Sequence, residues 1–249
     1  MNKLEQAANC INLLGDFCGM RDVPALTHDL EADAMVLFGG SILSGADVLA
    51  EAMKNAVARR YIIVGGAGHT TETLRKNVRK YCPGVLTRRR SEAELLDSYL
   101  EFHYGLNADF LETQSTNCGN NITHLVALLQ QNQIPLHRII LCQDATMQRR
   151  MDAGLRRFIQ PDTQIINYAA YHAHVVVRDD ALAFEEDIPG MWDMDRYVSM
   201  LMGEIPRLTD NADGYGPRGR GYIAHVDVPE NVREAFVCLK DDFGMMPRE

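Results

Sequence analysis

The amino-acid sequence predicts an α/β fold, a Rossmann-like and mainly parallel sheet with helices on both faces. Several short apolar runs end in glycine or in small polar residues, as buried parallel strands do. Each run is followed by a segment with apolar residues at helical spacing, so that strand, turn and helix repeat along the chain. This alternation stops after about residue 178. We therefore expect a Rossmann-like ligand-binding domain at residues 30–178 and a small helical companion domain made of residues 1–29 and 179–249.

The individual elements follow from the same two patterns. Residues 4–17 place apolar side chains on one helical face and predict an amphipathic helix. The predicted strands are residues 34–38, 61–64, 107–111, 138–142 and 164–170. Helices are predicted at residues 46–59, 71–80, 91–104, 122–129, in a segment ending at Phe158, and at residues 191–202 and 229–240.

Composition limits the classes of partner. A net charge of −9 opposes general binding to nucleic acid or to anionic membranes, which select for excess positive charge. The six cysteines form no C-x-x-C pair and have no zinc-finger spacing, so we predict no metal site. The N-terminal residues lack a secretory pattern, and no apolar run approaches membrane-spanning length. We expect a cytoplasmic protein with a small-molecule ligand; the sequence leaves a homo-oligomer open.

Four strand-to-helix turns carry the predicted ligand site. In a parallel sheet such turns meet at the carboxyl edge, where glycine admits a ligand and helix N-termini attract anions. The turn at residues 112–121 is the richest in donors and acceptors, although a well-capped helix after a strand would also explain it. The predicted site residues are Gly39, Gly40, Gly65, Gly66, Gly68, His69, Glu112, Ser115, Thr116, Asn117, Asn121, Asp144, Thr146, Arg149 and Arg218.

Three further features have two interpretations each. Cys118 lies where a helix dipole favours a thiolate, but a small packed thiol is the simpler role. His172 and His174 would share one face of a strand and form a metal pair, which needs a third ligand that the neighbouring sequence lacks. Residues 213–221 form either a lid over the mouth of the site, with Arg218 contacting an anion, or a rigid surface loop.

The turn motifs resemble the YdcF-like branch of the SanA/ElyC domain family. The third motif of that family reads E-x-x-S-x-N-T-x-E-N. Here Glu112, Ser115, Asn117 and Asn121 match it, whereas Cys118 and Asn120 replace the threonine and the second glutamate. Residues 203–208 and 213–220 add to the resemblance. It implies a Rossmann-like domain with a helical companion, and binding of S-adenosyl-L-methionine in the cleft, without a defined reaction.

Three functional hypotheses follow. The first is an S-adenosylmethionine-binding protein or an enzyme that uses this cofactor, with Glu112 or Asp144 contacting the ammonium or the ribose hydroxyls. Phe38 precedes Gly39 where methyltransferases usually carry an acidic residue, so the sequence does not assign methyl transfer. The second is a hydrolase or transferase acting on a phosphorylated small molecule, with Arg149 holding the phosphate. The third is a non-catalytic metabolite sensor that signals through its helical part.

Overall fold

The computed structural model describes residues 2–248, which form two compact units. We call residues 21–144 and 158–170 the sheet unit. Residues 2–20, 145–157 and 171–248 are the helical unit. The predicted boundaries differ from these at residues 21–29, which lie in the sheet unit, and at 145–157 and 171–178, which lie in the helical unit. The chain therefore passes between the units four times, after residues 20, 144, 157 and 170, and not twice as the predicted boundaries imply.

The sheet unit contains a five-stranded, entirely parallel sheet, which confirms the predicted α/β class. Its strand order is β3-β2-β1-β4-β5, so that β1 is central, β2 and β3 follow on one side of it, and β4 and β5 follow on the other. The strands are β1 (Ala34–Phe38), β2 (Tyr61–Val64), β3 (Phe110–Glu112), β4 (Arg138–Cys142) and β5 (Gln164–Asn167). Every residue of β1 and β2 is buried, which explains why these strands are uninterrupted apolar runs.

Four helices of the sheet unit connect its strands. They are α2 (Ser44–Lys54), α3 (Thr71–Tyr81), α4 (Glu92–Tyr104) and α5 (Cys118–Gln131). Helices α2 and α4 pack against each other. Because crossovers between parallel strands are right-handed, the strand order assigns these two helices to one face of the sheet and α5, which returns from β3 to β4, to the other. Helix α4 begins with a capping box, in which Ser91 and Glu94 satisfy each other's backbone N–H groups.

The helical unit contains four helices and a hairpin. The helices are α1 (Lys3–Cys18), α6 (Gln148–Leu155), α7 (Met194–Leu208) and α8 (Glu230–Phe243), and α1 packs against α7 and α8. The antiparallel hairpin of β6 (Val175–Arg178) and β7 (Ala181–Phe184) is an element that the sequence analysis did not predict. Its turn residues Asp179 and Asp180 have φ values of 51° and 56°, which a tight two-residue hairpin turn requires.

A buried ion cluster lies in the helical unit. Glu204 of α7 is fully buried, and its Oε2 lies 2.5 Å from Arg150 Nε. Arg248 donates to the other carboxylate oxygen. Although burial alone would raise the pKa of Glu204, the two guanidinium groups outweigh it and hold that pKa below its ordinary value.

No helix within residues 2–248 is both long enough and apolar enough to cross a bilayer.

Candidate functional site

The first three predicted turns lie side by side at the carboxyl edge of the sheet. Gly39 N donates to Val64 O over 2.6 Å, and Gly65 N donates to Glu112 O over 2.9 Å. Asp144 follows the end of β4 by two residues and is the last residue of the segment 21–144 of the sheet unit. The structure places the predicted residues from Gly39 to Asp144 in the sheet unit, and places Thr146, Arg149 and Arg218 in the helical unit.

Several predicted glycines accommodate other parts of the protein. A Cβ atom on Gly66 would lie 2.0 Å from Ser115 O, so only glycine lets the second and third turns touch there. The two turns are joined by hydrogen bonds from Gly66 N to Ser115 Oγ at 3.0 Å and from Ala67 N to Ser115 O at 3.1 Å. A Cβ on Gly65 would lie 3.0 Å from Gly39 Cα, because the ends of β1 and β2 approach closely.

Glu92 is a residue of this edge that the sequence analysis missed. It is the first residue of α4, and it lies against the two glycine turns: a Cβ on Gly39 would be 2.5 Å from Glu92 Oε2. Its Oε1 accepts hydrogen bonds from the hydroxyls of Thr70 and Thr71, each at 2.8 Å. Burial raises the pKa of Glu92, against the opposing effect of these two hydroxyls. A nearly buried carboxylic acid therefore lies beside the ends of β1 and β2.

The carboxylate of Glu112 shapes the third turn. Its Oε1 accepts from Gln114 N at 2.7 Å and from Ser115 N at 3.0 Å, and it lies 2.9 Å from His124 Nδ1. Burial alone would raise the pKa of Glu112, but the hydrogen bonds from Ser115, His124 and Gln114 outweigh it and lower that pKa. These contacts fix the turn and hold the carboxylate in its ionised form.

Asn117 begins helix α5 as its N-cap. Its Oδ1 accepts from Asn120 N at 3.0 Å, which satisfies one of the helix's first N–H groups. The side chains of Thr116 and Asn117 both donate to Asn120 Oδ1, at 2.9 and 3.0 Å. Cys118 is the first residue of the helix and is half-buried, while Asn121 is buried. Capping thus accounts for the geometry of Asn117, and the Asn120 side chain ties the turn together.

The backbone N–H groups of the second turn donate hydrogen bonds to other groups of the protein. Besides the contacts of Gly65, Gly66 and Ala67, Gly68 N donates to Thr71 Oγ1 at 2.7 Å. The first two N–H groups of α4 likewise donate to turn carbonyls, Glu92 N to Gly66 O at 2.7 Å and Ala93 N to Gly65 O at 2.8 Å. His69 is exposed on the same turn. These N–H groups are therefore already engaged and do not form an anion-binding cradle.

The ends of β1 and β4 have a different character. The strand order reverses between these two strands, which makes their carboxyl ends the topological switch point of the sheet. Within the sheet unit, a Cβ on Gly40 would meet only Gln143 Oε1, at 3.7 Å. Ser41 is fully buried, and its hydroxyl has no hydrogen-bond partner among residues 2–248. A buried hydroxyl of this kind needs a partner, because leaving it unpaired costs free energy.

The predicted residues of the helical unit have their own contacts. Arg149 donates to Phe17 O and lies with its guanidinium 4.1 Å from the centre of the Phe17 ring. Thr146 is buried, whereas Arg218 is exposed and its backbone N donates to Asp210 Oδ1 at 2.7 Å. The three residues thus belong to the helical unit, and their role in ligand binding stays a prediction.

Backbone contacts order the loop at residues 213–221. Arg220 N donates to Gly214 O, and Gly221 N donates to Gly216 O, each at 2.9 Å. A Cβ on Gly214 would lie 1.8 Å from Thr209 O, so the chain is closely packed there. The ring of Tyr215 is flanked by guanidinium groups and packs edge-on against another tyrosine. These contacts favour the rigid-loop interpretation, and a position over the ligand site stays a prediction.

His172 and His174 do not lie in a strand, which corrects the predicted shared strand face. Both precede β6, in a segment without regular structure. His172 Nε2 lies 3.1 Å from Asp16 Oδ1, and His174 Nε2 lies 3.4 Å from Asn12 Nδ2. The two imidazoles therefore have separate polar partners on α1.

A depression lies at the amino edge of the sheet, opposite the carboxyl ends of the strands. It has a volume of about 470 Å³, and its lining includes Asp33, Arg59, Arg138 and Asp162. Asp33 Oδ2 accepts from His137 N at 2.8 Å and from Arg138 N at 3.0 Å, so this carboxylate fixes the start of β4. Ligands of open parallel sheets bind at the carboxyl edge, and the contacts of Asp33 give this residue a structural role.

The fold and the polar edge define a Rossmann-like α/β protein with an appended helical unit. No protein-family model matches the sequence. The functional assignment therefore depends on the geometry of the carboxyl edge and on the motif resemblance at Glu112, Ser115, Asn117 and Asn121.

Proposed function

We propose that the chain is a cytoplasmic S-adenosylmethionine-binding protein, either a binding protein alone or an enzyme that uses this cofactor on an unidentified substrate. The ligand would lie at the carboxyl ends of β1 and β4. The observation that carries this proposal is the buried, unpartnered hydroxyl of Ser41 beside Gly40, at the switch point of a parallel sheet. Ligand sites of doubly wound sheets occur at this position.

The groups at this edge suit S-adenosylmethionine. The ligand offers ribose hydroxyls, an ammonium and a carboxylate, all of which can hydrogen-bond to a serine hydroxyl, since it both donates and accepts. Gly40 leaves room next to Ser41, because the nearest sheet-unit atom to an added Cβ is Gln143 Oε1 at 3.7 Å. Gln143 is itself a buried amide at the end of β4, and Asp144 follows it. These residues supply polar groups on both sides of the switch point.

The motif resemblance supports the same ligand. Its matching residues Glu112 and Ser115 hold the third turn against the second through the hydrogen bonds of the Ser115 backbone and hydroxyl. We infer that they position the edge of the site from the β2 side. The exposed residues Thr116 and Asn117, whose side chains are tied to Asn120, would then lie at its rim.

The structure gives less support to a phosphorylated small molecule as ligand. The backbone N–H groups of the second turn are engaged, and the acidic side chain of Glu92 lies between the first two turns. A carboxylate repels a phosphate when both are charged. A non-catalytic sensor would bind the same ligand as the leading proposal and would differ from it in leaving the ligand intact.

Calorimetric titration of the purified protein with S-adenosylmethionine tests the proposal. We expect saturable binding that weakens about fivefold in Ser41→Ala, because one hydrogen bond to a ligand is worth about 1 kcal/mol. The free energy of unfolding without ligand should stay the same or rise, since the variant removes a buried hydroxyl without a partner.

Ser98→Ala is the matched control in the same unit. The Ser98 hydroxyl is also buried, but it donates to Glu94 O at 2.7 Å and accepts from Arg90. This variant should lose stability and keep its affinity, the opposite of Ser41→Ala. Equal affinity of Ser41→Ala and the wild type would move the site elsewhere. Failure of the wild type to bind S-adenosylmethionine, together with binding of a nucleotide or phosphate, would favour the phosphorylated ligand.

A further inference from the structure

We propose that Glu92 is the counter-ion for a positively charged group of the ligand. This inference rests on the proposed binding of S-adenosylmethionine, which carries positive charge on its sulfonium and on its ammonium. It assigns a role to a residue outside the turn motifs. The three lines of support are the burial of the carboxylate, its lack of a cationic partner, and the donors that favour its charged form.

The Glu92 carboxylate is held at the ligand edge with one oxygen unused. The residue is 7% exposed, and the absence of side chains at Gly39 and Gly65 makes room for it. Its Oε1 accepts from Thr70 and Thr71, whereas Oε2 has no hydrogen-bond partner in the described part of the chain. That second oxygen lies next to Gly39, at the end of the central strand.

No described cation forms an ion pair with Glu92. Arg75 is the charged group that affects it most, but Arg75 Nη1 binds Glu72 at 2.9 Å and its Nη2 binds Arg90 O at 2.9 Å. Burying an unpaired carboxylate is costly. Glu204, the fully buried glutamate of the helical unit, is paired with two arginines. Glu92 thus lacks the direct ion pairs that stabilise the buried glutamate of the helical unit, and it receives only the longer-range attraction of Arg75.

Local donors prepare Glu92 to be charged when a cation arrives. Two hydroxyls point to Oε1, and the residue occupies the first turn of α4, where the helix dipole favours a negative charge. Burial works in the other direction and raises the pKa of Glu92. A bound cation would lower that pKa again, so we expect ligand binding to release a proton from the fraction of molecules in which Glu92 is protonated.

A purely structural role for Glu92 makes a different prediction. If the carboxylate only joins α4 to Thr70 and Thr71, a glutamine should replace it, because an amide oxygen accepts the same two hydroxyl hydrogen bonds. Glu92→Gln therefore removes the charge and keeps these contacts. Glu94→Gln is the matched control, since it removes a charge two residues away while glutamine preserves the capping box.

The test compares three ligands by calorimetry in the wild type and both variants. S-adenosylhomocysteine lacks the sulfonium, and 5′-methylthioadenosine lacks both positive groups. If Glu92 pairs with the sulfonium, Glu92→Gln should bind S-adenosylmethionine about 10- to 100-fold more weakly and S-adenosylhomocysteine almost unchanged. If it pairs with the ammonium, both should weaken and 5′-methylthioadenosine should not. Either pattern supports the inference, and Glu94→Gln should match the wild type.

Proton release gives an independent measurement. Binding enthalpies in buffers of different ionisation enthalpy should show proton release for the wild type and none for Glu92→Gln. Unchanged affinities and unchanged proton release in Glu92→Gln would overturn the inference while the wild type still binds S-adenosylmethionine. A wild type that binds none of the three ligands would instead overturn the proposed function, so the two failures are distinguishable.

Discussion

Gly66→Ala should destabilise the sheet unit strongly, because the second and third turns touch at this glycine. The added Cβ would lie 2.0 Å from Ser115 O and 2.8 Å from Ser115 N. Ordinary van der Waals contact needs more than 3 Å, so the two turns would have to separate by about 1 Å or more. The hydrogen bonds from Gly66 N and Ala67 N to Ser115 would then lengthen or break.

The size of the effect follows from two contributions. Overpacking of a closely packed region costs about 1–3 kcal/mol. Each of the two lost hydrogen bonds adds about 1 kcal/mol, so the free energy of unfolding should fall by about 3–5 kcal/mol. For a chain of 249 residues, this corresponds to a fall in melting temperature of roughly 10 °C.

Urea unfolding followed by far-ultraviolet circular dichroism measures this change. Gly40→Ala is the matched control, since an added Cβ there meets no sheet-unit atom closer than Gln143 Oε1 at 3.7 Å. We expect its unfolding free energy to stay within about 0.5 kcal/mol of the wild type. Equal unfolding midpoints for Gly66→Ala and Gly40→Ala would show that the two turns do not pack as described.

Three other measurements test separate parts of the molecule. Glu204→Gln should lower the free energy of unfolding by about 3–5 kcal/mol, because it leaves two arginines without their buried counter-ion. Arg150 and Arg248 hold the pKa of Glu204 below 4.5, so the stability of the wild type should fall as the pH drops below 4.5. Urea unfolding of Glu204→Gln should show a weaker pH dependence. The hydrogen bond to Asp210 is the largest of the effects that raise the pKa of His225 above 6.5, and an NMR titration should detect this shift. The stability that His225 contributes is present below pH 6.5 and is lost as the pH rises through the raised pKa. Arg218→Ala should weaken ligand binding by about 1–3 kcal/mol if residues 213–221 cover the site, with little effect on melting of the ligand-free protein, because an exposed arginine contributes little stability.

The sequence predicted the sheet well because strands that are buried on both faces are uninterrupted runs of apolar residues. The predicted ranges 34–38, 61–64 and 138–142 coincide with β1, β2 and β4. The hairpin of β6 and β7 was missed because its strands are short and only partly buried. Helix α7 also continues to Leu208, beyond the predicted end at residue 202, with Pro206 in its last turn. A proline there removes one backbone hydrogen bond, which packing of the buried face can offset.

The role of each glycine could not be predicted from sequence. A glycine that admits a ligand and a glycine that admits another part of the protein both require the absence of a Cβ atom. Gly39 and Gly65 lie against Glu92, and Gly66 lies against Ser115, whereas Gly40 has space within the sheet unit. The distinction depends on which turn packs beside which, and that is a property of the strand order.

The unusual position of Glu92, in contrast, can be recognised from the sequence. The capping box that starts α4 needs Ser91 and Glu94, so it does not explain a second acid in the first turn. Glu92 also shares the helical face of Leu95, Leu96 and Tyr99, which lie three, four and seven residues further on and are all buried. An acidic residue in an apolar stripe must be paired, protonated or placed at the end of the buried face beside a ligand. Glu92 is the first residue of α4 and lies next to the carboxyl ends of β1 and β2, which is the position that the proposed role beside a ligand requires.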